Sequence, residues 1–235
     1  MIQNKKIIAI IPARGGSKGI PKKNIKPFCG KPLIFWTIKI AKESKYIDDF
    51  VVSTDDGEIA EISKRYKARV IKRPKKLARD DSLVNDAISH ALNFLEEKEG
   101  KFFPIVVLLQ PTSPLRKLRT VESAIETFLE RSDDYDSLIP LHPIEGKMGK
   151  IKKDYYLPDY ILGSPRQELE KAYRECGTVF VFKTHLAKKG KMFGKKILPF
   201  IIKSGEEAID IDNLDDFKQA EYFFKNNNEK QKPKN

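Results

Sequence analysis

Residues 7–24 of this 235-residue chain read IIAIIPARGGSKGIPKKN, and this stretch decides the fold. Its five leading apolar residues predict a strand that is buried on both faces, as in a parallel sheet. After Pro12 the chain opens into a loop with three glycines and four cations, namely Gly15, Gly16, Gly19, Arg14, Lys18, Lys22 and Lys23. Glycines let a backbone approach a ligand, and clustered cations need an anion to face, so the segment is typical of a phosphate-binding loop. Neither G-x-x-x-x-G-K-[ST] nor G-x-G-x-x-G fits, and a solvated basic turn is the alternative.

The composition indicates a soluble globular protein. A chain of 235 residues fits one α/β domain and is long enough to bury a core. No apolar run approaches 18 residues, so no membrane segment is predicted. Two isolated cysteines, Cys29 and Cys176, have no metal-ligand spacing and favour a reducing, cytoplasmic compartment.

The net charge of +12 is compatible with nucleic acid, a polyphosphate substrate or a lysine-rich surface. The sequence has no nucleic-acid-binding motif, and we therefore expect no nucleic-acid partner. Part of the excess charge falls in residues 226–235, whose polar, Asn- and Lys-rich composition predicts a disordered basic tail. A solvated lysine-rich surface accounts for most of the remainder.

Strands and helices alternate along the first 140 residues. The predicted strands are 7–11, 50–53, 69–72, 105–109 and 137–140, and the predicted helices between them are 32–44, 56–67, 82–97 and 120–130. Regular alternation of this kind predicts a mostly parallel, doubly wound sheet. Residues 141–174 break the pattern and are interpreted as an arm. The core then resumes with strands at 178–182, 197–202 and 208–211 and a helix from Asn213 to about Phe224, so residues 1–225 form one domain.

Ligands of such sheets bind beyond the carboxyl ends of the strands, where the strand order reverses. If the order begins 3-2-1-4, the loop after the first strand and the segment starting at Gln110 flank that point. Gln110, Thr112 and Ser113 offer one amide and two hydroxyls on a backbone stiffened by two prolines. These groups suit hydrogen bonding to a base or a sugar, and a stiff surface turn is the alternative.

Residues 208–212, AIDID, form the second strong local signal. In a strand, Asp210 and Asp212 would share one face while Ile209 and Ile211 would pack on the other. Two adjacent carboxylates repel each other unless a cation bridges them, and Mg²⁺ takes one or two carboxylates together with phosphate oxygens. A basic phosphate loop combined with such a pair is typical of a nucleotidyl-transfer site, and helix capping near Asn213 is the alternative.

Six motifs in order resemble the acylneuraminate cytidylyltransferases, the CMP-sialic acid synthetase family that includes enzymes acting on legionaminic acid. The motifs are IIPARGGSKGIPKKN, VVSTDD, KRP…LARDDS, LLQPTSPLR, SPRQELEKAYRECGTVFVF and IDIDNLDDF. The resemblance implies a Rossmann-like nucleotidyltransferase fold in which an arm, residues 141–174, joins two subunits into a homodimer. It further implies CTP and a nonulosonic acid as substrates, Mg²⁺ as the cofactor and pyrophosphate as a product.

The resemblance also assigns roles to individual residues. The residues that it assigns to the nucleotide are Arg14, Lys18 and Lys23 for the triphosphate, and Asn24, Arg73 and Ser82 for the cytidine. The residues that it assigns to the sugar acid are Gln110, Lys147, Arg166 and Arg174. The carboxylates that it assigns to the metal are those of Asp210 and Asp212. Among the cations, Arg166, Lys23 and Arg14 would take part in catalysis, because cations aimed at developing negative charge accelerate phosphoryl chemistry.

The chain departs from the family pattern at Val84, where many members carry a hydroxyl, and at Cys176 and Phe180 on the sugar side of the family site. These departures leave the identity of the sugar open. One alternative keeps the chemistry and changes the sugar to 3-deoxy-manno-octulosonic acid. Another is a non-catalytic nucleotide-binding protein of the same fold.

Overall fold

The computed structural model describes residues 5–230. Its strands are β1 (Ile7–Pro12), β2 (Pro27–Phe28), β3 (Lys31–Pro32), β4 (Asp49–Thr54), β5 (Arg69–Lys72), β6 (Ile105–Leu108), β7 (Ser137–Ile144), β8 (Gly149–Lys152), β9 (Tyr155–Pro158), β10 (Ala172–Glu175), β11 (Phe180–Lys183) and β12 (Ile197–Ile201). Its helices are α1 (Leu33–Glu43), α2 (Gly57–Arg65), α3 (Val84–Glu99), α4 (Leu118–Glu130), α5 (Thr184–Ala187) and α6 (Leu214–Lys230). Within these residues, no helix is both long and apolar enough to cross a membrane.

An eight-stranded, largely parallel sheet forms the centre of the fold. Strands β5, β4, β1 and β6 lie side by side and parallel, which is the 3-2-1-4 order on which the predicted position of the ligand site depends. Strand β11 runs antiparallel between β6 and β7, and β12 pairs in parallel with the other edge of β7. The mixed α/β fold with a mostly parallel, doubly wound sheet is thus confirmed.

Strand β1 is apolar throughout because helices cover both faces of the sheet. Ile7, Ala9 and Ile11 belong to the core packed under α1 and α4, whereas Ile8 and Ile10 belong to the core under α3. All five side chains are buried. Neighbouring side chains in a strand point to opposite faces of the sheet. An unbroken apolar run is therefore fully buried only when both faces are covered.

Two predicted helix caps are confirmed. The Asp56 carboxylate accepts a hydrogen bond of 2.8 Å from the backbone N–H of Ile59 at the start of α2. At the start of α6, the Asn213 side-chain oxygen accepts bonds of 2.9 and 3.0 Å from the N–H groups of Asp215 and Asp216. Both caps satisfy donors that the first helical turn leaves without partners.

The predicted strand at 208–211 is wrong, because this segment forms a turn followed by irregular backbone. The segment lies beside a loop rather than a strand. The Ile211 N–H donates a 2.8 Å hydrogen bond to the Thr112 carbonyl oxygen of that loop. The alternation of faces nevertheless holds, since Ile209 and Ile211 are buried, Asp210 is half-buried and Asp212 is exposed. Extended backbone gives this alternation even without a ladder of hydrogen bonds.

The predicted disordered tail starts too early. Helix α6 continues through residues 226–230, so the prediction is wrong there, while 231–235 lie outside the described residues. The side chain of Asn227 donates a 2.6 Å hydrogen bond to Glu206, and Phe224 packs against Trp36 and Phe28. These tertiary contacts extend a helix whose polar composition alone predicts disorder.

The arm leaves the sheet between β7 and β10. These two strands pair with each other, so residues 141–144 and 172–174 of the predicted arm belong to the main sheet. Between them lie the β8–β9 hairpin and a single 3-10 turn at Arg166–Glu168. The protruding part exposes several large apolar side chains, among them Ile151, Tyr155, Ile161 and Leu162.

Candidate active site

A cleft of about 480 Å³ lies beyond the carboxyl ends of β1, β5 and β6. The loop after β1 and the Gln110 segment after β6 both line it, as the 3-2-1-4 strand order requires. The predicted site residues that line this cleft are Arg14, Lys18, Lys23, Asn24, Arg73, Ser82, Gln110, Asp210 and Asp212. The fold therefore brings the basic loop and the two carboxylates together from opposite ends of the chain.

Lys23 connects the basic loop with the carboxylate segment. Its ammonium donates a 2.5 Å hydrogen bond to the Ile211 carbonyl and lies 3.5 Å from a carboxylate oxygen of Asp212. Gly19 makes this approach possible, because a Cβ atom there would lie 2.1 Å from the Asp212 carbonyl oxygen. The glycine in the loop thus serves close contact between two backbones as well as contact with a ligand.

Arg73 and Asn24 form the buried floor beside the basic loop. Asn24 donates a 2.9 Å hydrogen bond to the Arg14 carbonyl, which shapes the loop. Arg73 is only 5% exposed, and its Nε and Nη2 atoms lack hydrogen-bond partners among the described residues. Burial lowers the pKa of Arg73, and the charge of Arg14 lowers it further, whereas Asp55 at 3.8 Å opposes both. Arg73 thus places a buried guanidinium at the floor of the cleft.

Ser82 shapes the loop between β5 and α3. Its hydroxyl donates to the Lys76 carbonyl and accepts from the Arg79 N–H, each at 3.1 Å. A hydroxyl has two acceptor positions, so one remains for a donor on a ligand. Val84 also lines the cleft and makes the wall beside Ser82 apolar.

Gly177 lets the Gln110 segment and Asp210 meet. A Cβ atom on Gly177 would lie 2.5 Å from the Ser113 hydroxyl, 2.9 Å from the Gln110 side-chain oxygen and 3.0 Å from an Asp210 carboxylate oxygen. All three groups therefore surround the same small volume. The signal for this position in the sequence is the glycine that follows Cys176.

Cys176 and Phe180 are buried, and neither lines this cleft. Phe180 is buried in the core under α3, where it packs against Phe193. Cys176 is buried with Ile202 and Ala208, and burial raises the pKa of its thiol. The charge of Asp210 also raises the pKa of the Cys176 thiol, whereas Phe180 contributes apolar packing.

Arg116 is a buried residue that the sequence reasoning missed. Its Nε donates a 2.9 Å hydrogen bond to the Ser113 carbonyl, and its Nη2 donates to the Gln110 carbonyl. Burial lowers the pKa of Arg116 to about 9, and the charge of Asp210 opposes this shift. The position of an arginine at the end of LLQPTSPLR was the available signal. Arg116 holds the backbone that presents Gln110 to the cleft.

Glu207 is a second missed residue, and it anchors the segment that carries Asp210. Its carboxylate accepts a 2.6 Å hydrogen bond from the Thr120 hydroxyl and lies 3.0 Å from the Lys117 ammonium. Both partners stand at the beginning of α4, where the helix dipole favours a negative charge. A glutamate outside any motif gave no sequence signal for this role.

The predicted arm residues are not brought to the cleft within one chain. Arg166 pairs with Glu145 at 2.9 Å, and both belong to the arm. The Lys147 ammonium lies 5.4 Å from the centre of the Tyr160 ring. Arg174 stands on β10, opposite His142 of β7. All three cations therefore lie away from the cleft that the nucleotide positions line.

The carboxylates of Asp210 and Asp212 suit a divalent cation held jointly with a phosphate ligand. One Asp210 oxygen is buried without a hydrogen-bond partner among the described residues, whereas Asp212 is exposed. Residues 5–230 contain no cluster of three or more His, Cys, Asp or Glu side chains that could hold a metal ion. Two carboxylates alone nevertheless suit Mg²⁺, because this ion commonly takes one or two carboxylates and completes its shell with phosphate oxygens and water.

Comparison with known proteins supports one family. A family model described as cytidylyltransferase matches residues 8–226. The chain is 32% identical to the CMP-N,N'-diacetyllegionaminic acid synthase of Legionella pneumophila, over 95% of this chain and 98% of that protein. It is also 32% identical to a pseudaminic acid cytidylyltransferase of Campylobacter jejuni, with the same coverage. The N-acylneuraminate cytidylyltransferase of Streptococcus agalactiae is 33% identical over 90% of this chain and 52% of that longer protein.

Solved structures show the same fold at low sequence identity. The structure of CMP:2-keto-3-deoxy-manno-octonic acid synthetase complexed with CTP aligns with a TM-score of 0.72 and 15% identity, over 94% of this chain and 99% of that chain. A 4-diphosphocytidyl-2C-methyl-D-erythritol synthase from Anaerococcus prevotii aligns with a TM-score of 0.69, also at 15% identity, over 95% of this chain and 98% of that chain. The likeness to these structures supports the fold, and the family model over residues 8–226 together with the curated relatives establishes that the protein belongs to the cytidylyltransferase family of nucleotidyltransferase enzymes.

Proposed function

We propose that this enzyme transfers CMP from CTP to a nonulosonic acid of the sialic or legionaminic type. The observation that carries the proposal is the meeting of Arg14, Lys18 and Lys23 with Asp210 and Asp212 in one cleft. Such a cleft matches the needs of a nucleoside triphosphate, which carries several negative charges and travels with a divalent cation. The names of the curated relatives support a nonulosonic acid as the second substrate.

In the proposed reaction, the anomeric hydroxyl oxygen of the sugar acid forms a bond to the α-phosphorus of CTP. The bond from that phosphorus to the bridging oxygen breaks, pyrophosphate leaves, and the hydroxyl proton passes to solvent. A bound Mg²⁺ would neutralise phosphate charge. The protein contributes by orienting the phosphates, and Arg14, Lys18 and Lys23 supply positive charge where negative charge develops on the leaving group.

The cytidine would lie toward Arg73, Ser82 and Asn24. Arg73 lines the cleft, and the N–H donors of a guanidinium suit the oxygen and ring nitrogen of cytosine. Ser82 keeps one acceptor position, which suits the amino group of that base. Together these groups give a physical reason for preferring cytosine to a base with the reverse pattern of donors and acceptors.

We further propose that the enzyme is a homodimer in which the arm completes the sugar side of the site. Ile161 and Leu162 of the arm are 81% and 72% exposed, and apolar side chains clustered in this way mark an interaction surface. The arm cations Lys147, Arg166 and Arg174 lie away from the cleft of their own chain. In the proposed dimer these cations act at the cleft of the other subunit. A guanidinium suits the sugar acid because it binds a carboxylate with two hydrogen bonds.

Replacement of Arg166 by alanine should reduce transfer more than CTP binding. Arg166 is exposed and its pairing with Glu145 is confined to the arm, so we expect little change in stability. We expect kcat/KM for the sugar acid to fall about a hundredfold, while the Kd for CTP stays within about twofold. The Lys150→Ala variant, which removes an exposed arm cation from β8, is the matched control. An equal loss of CTP affinity would place Arg166 at the nucleotide instead.

Pyrophosphate release across a panel of substrates tests the proposed function directly. The panel combines CTP and Mg²⁺ with sialic, legionaminic, pseudaminic and 3-deoxy-manno-octulosonic acids, and uses other nucleoside triphosphates as controls. We expect release with CTP and a sialic or legionaminic acid. Release with the octulosonic acid alone would replace the proposed sugar while keeping the chemistry. CTP binding without release for any sugar would favour a non-catalytic nucleotide-binding protein.

A further inference from the structure

Asp80 occupies the cations that the proposed function assigns to the triphosphate. One of its carboxylate oxygens lies 3.0 Å from the Arg14 guanidinium, and the other lies 3.2 Å from the Lys18 ammonium. The same Arg14 nitrogen donates a 3.0 Å hydrogen bond to the Arg79 carbonyl, next to Asp80. A single carboxylate therefore engages both cations with separate oxygens, as a phosphate group would.

The loop that carries Asp80 has a defined shape. Residues 74–83 connect β5 to α3, and we call them the cleft loop. The Ser82 hydroxyl binds two backbone groups of this loop, and the Ser82 N–H donates to the Arg79 carbonyl at 3.1 Å. These bonds form a turn that points Asp80 at the basic loop after β1. Asp80 itself is half-exposed on its side chain, so solvent and ligands can reach the ion pairs.

The neighbouring residue shows that the arrangement is specific to Asp80. Asp81 has the same charge and lies one position along the cleft loop, but its carboxylate pairs with Arg79 at 3.5 Å and contacts neither Arg14 nor Lys18. Arg79 lines the cleft, whereas neither Asp80 nor Asp81 does. The two aspartates therefore carry the same charge at the edge of the cleft but differ in their contact with Arg14 and Lys18, and their side chains are 51% and 75% exposed.

We infer that Asp80 is an affinity-setting residue that competes with the phosphate groups of the nucleotide for Arg14 and Lys18. This inference rests on the proposed function, since that function places the triphosphate at these cations. A polyphosphate must displace the Asp80 carboxylate to reach both cations. If Asp80 stays nearby, its charge repels the phosphates, so both arrangements lower the affinity. The same competition favours release of pyrophosphate, because the pairs with Asp80 can form again as it leaves.

Calorimetric titration of the full chain with CTP and with inorganic tripolyphosphate tests the inference without requiring turnover. The variants are Asp80→Asn and the matched control Asp81→Asn, and cytidine serves as a ligand without phosphate. For Asp80→Asn we expect binding of both phosphate ligands to tighten roughly three- to tenfold, since it removes two exposed ion pairs from the free protein. Asp81→Asn should stay within about twofold of the wild type, because it removes one exposed pair with Arg79 and leaves the pairs of Arg14 and Lys18 intact. Cytidine binding should be equal in all three proteins.

Several results would overturn the inference. Equal tightening in both variants would show a general effect of net charge, and weaker binding in Asp80→Asn would show that Asp80 organises the cations for the ligand. Unchanged phosphate binding in Asp80→Asn would show that the ion pairs are not coupled to the site. A failure of the proposed function would give a different result. In that case tripolyphosphate would bind more tightly to Asp80→Asn, but CTP would bind to none of the proteins. That last result supports Asp80 as a competitor of polyphosphate and contradicts only the nucleotide.

Discussion

The Asp212→Asn variant is expected to lose about a hundredfold or more of its activity while keeping its fold. The Asp212 side chain is 81% exposed, and its only charged contact among the described residues is Lys23 at 3.5 Å. We therefore expect the free energy of unfolding to change by less than about 0.5 kcal/mol. The activity should fall because Asp212 is one of only two carboxylates in the cleft that could hold a divalent cation against the phosphates.

Two measurements check this prediction besides the rate. In the wild type, Mg²⁺ should tighten the binding of CTP, and in Asp212→Asn this effect should shrink. Thermal melting should give nearly the same midpoint for both proteins. Asp215→Asn is the matched control. Asp215 lies three residues after Asp212 and carries the same charge, and its side chain faces solvent near Lys218. Turnover of Asp212→Asn at the wild-type rate would contradict the assignment of this carboxylate to the metal.

The Arg116→Met variant is expected to lose stability by about 3 kcal/mol. Methionine approximates the length of the side chain but has no donor for the carbonyls of Ser113 and Gln110, which Arg116 now satisfies. Arg116 is 4% exposed, so water does not readily replace those hydrogen bonds. Its loss also leaves the half-buried Asp210 without the nearby positive charge. The melting temperature should fall by roughly 6–12 °C for a domain of this size.

Denaturant unfolding and thermal melting measure this loss directly. Arg119→Met is the matched control, because Arg119 is an exposed residue in the first turn of α4 and its replacement should change stability by less than about 0.5 kcal/mol. Arg116→Lys keeps a charge and one donor group, so its stability should lie between the wild type and Arg116→Met. A wild-type melting temperature for Arg116→Met would contradict the role of Arg116 in holding the Gln110 backbone.

The central strands, their helices and the basic loop were predictable because each of them depends on local sequence. An apolar run such as 7–11, a helix capped at Asp56 and a basic loop after β1 all depend on residues that are neighbours in the chain. Right-handed crossovers and the rule that ligands lie at the carboxyl edge then predict which loops meet. The cleft formed by the basic loop and the Gln110 segment agrees with this reasoning.

The backbone of residues 208–212 was not predictable in the same way. Alternating Ile and Asp predicts a strand, but a strand needs a neighbour with a free edge, and this segment lies beside the loop that carries Thr112. The extension of α6 through residue 230 is a similar case, since the contacts of Phe224 and Asn227 are with distant parts of the chain. Propensity and composition contain no information about such neighbours.

By itself the sequence determined the fold class, the basic loop and part of the cleft lining, because periodicity and motifs are properties of the chain. Only the tertiary structure decided how those residues are engaged by other parts of the protein. The Ser82 hydroxyl binds its own loop, Arg14 and Lys18 are paired with Asp80, and two nitrogens of Arg73 are buried without hydrogen-bond partners among the described residues. Each of these pairings joins atoms whose proximity arises from folding and backbone geometry, and a hydrogen bond or ion pair depends on distances that a residue pattern does not contain.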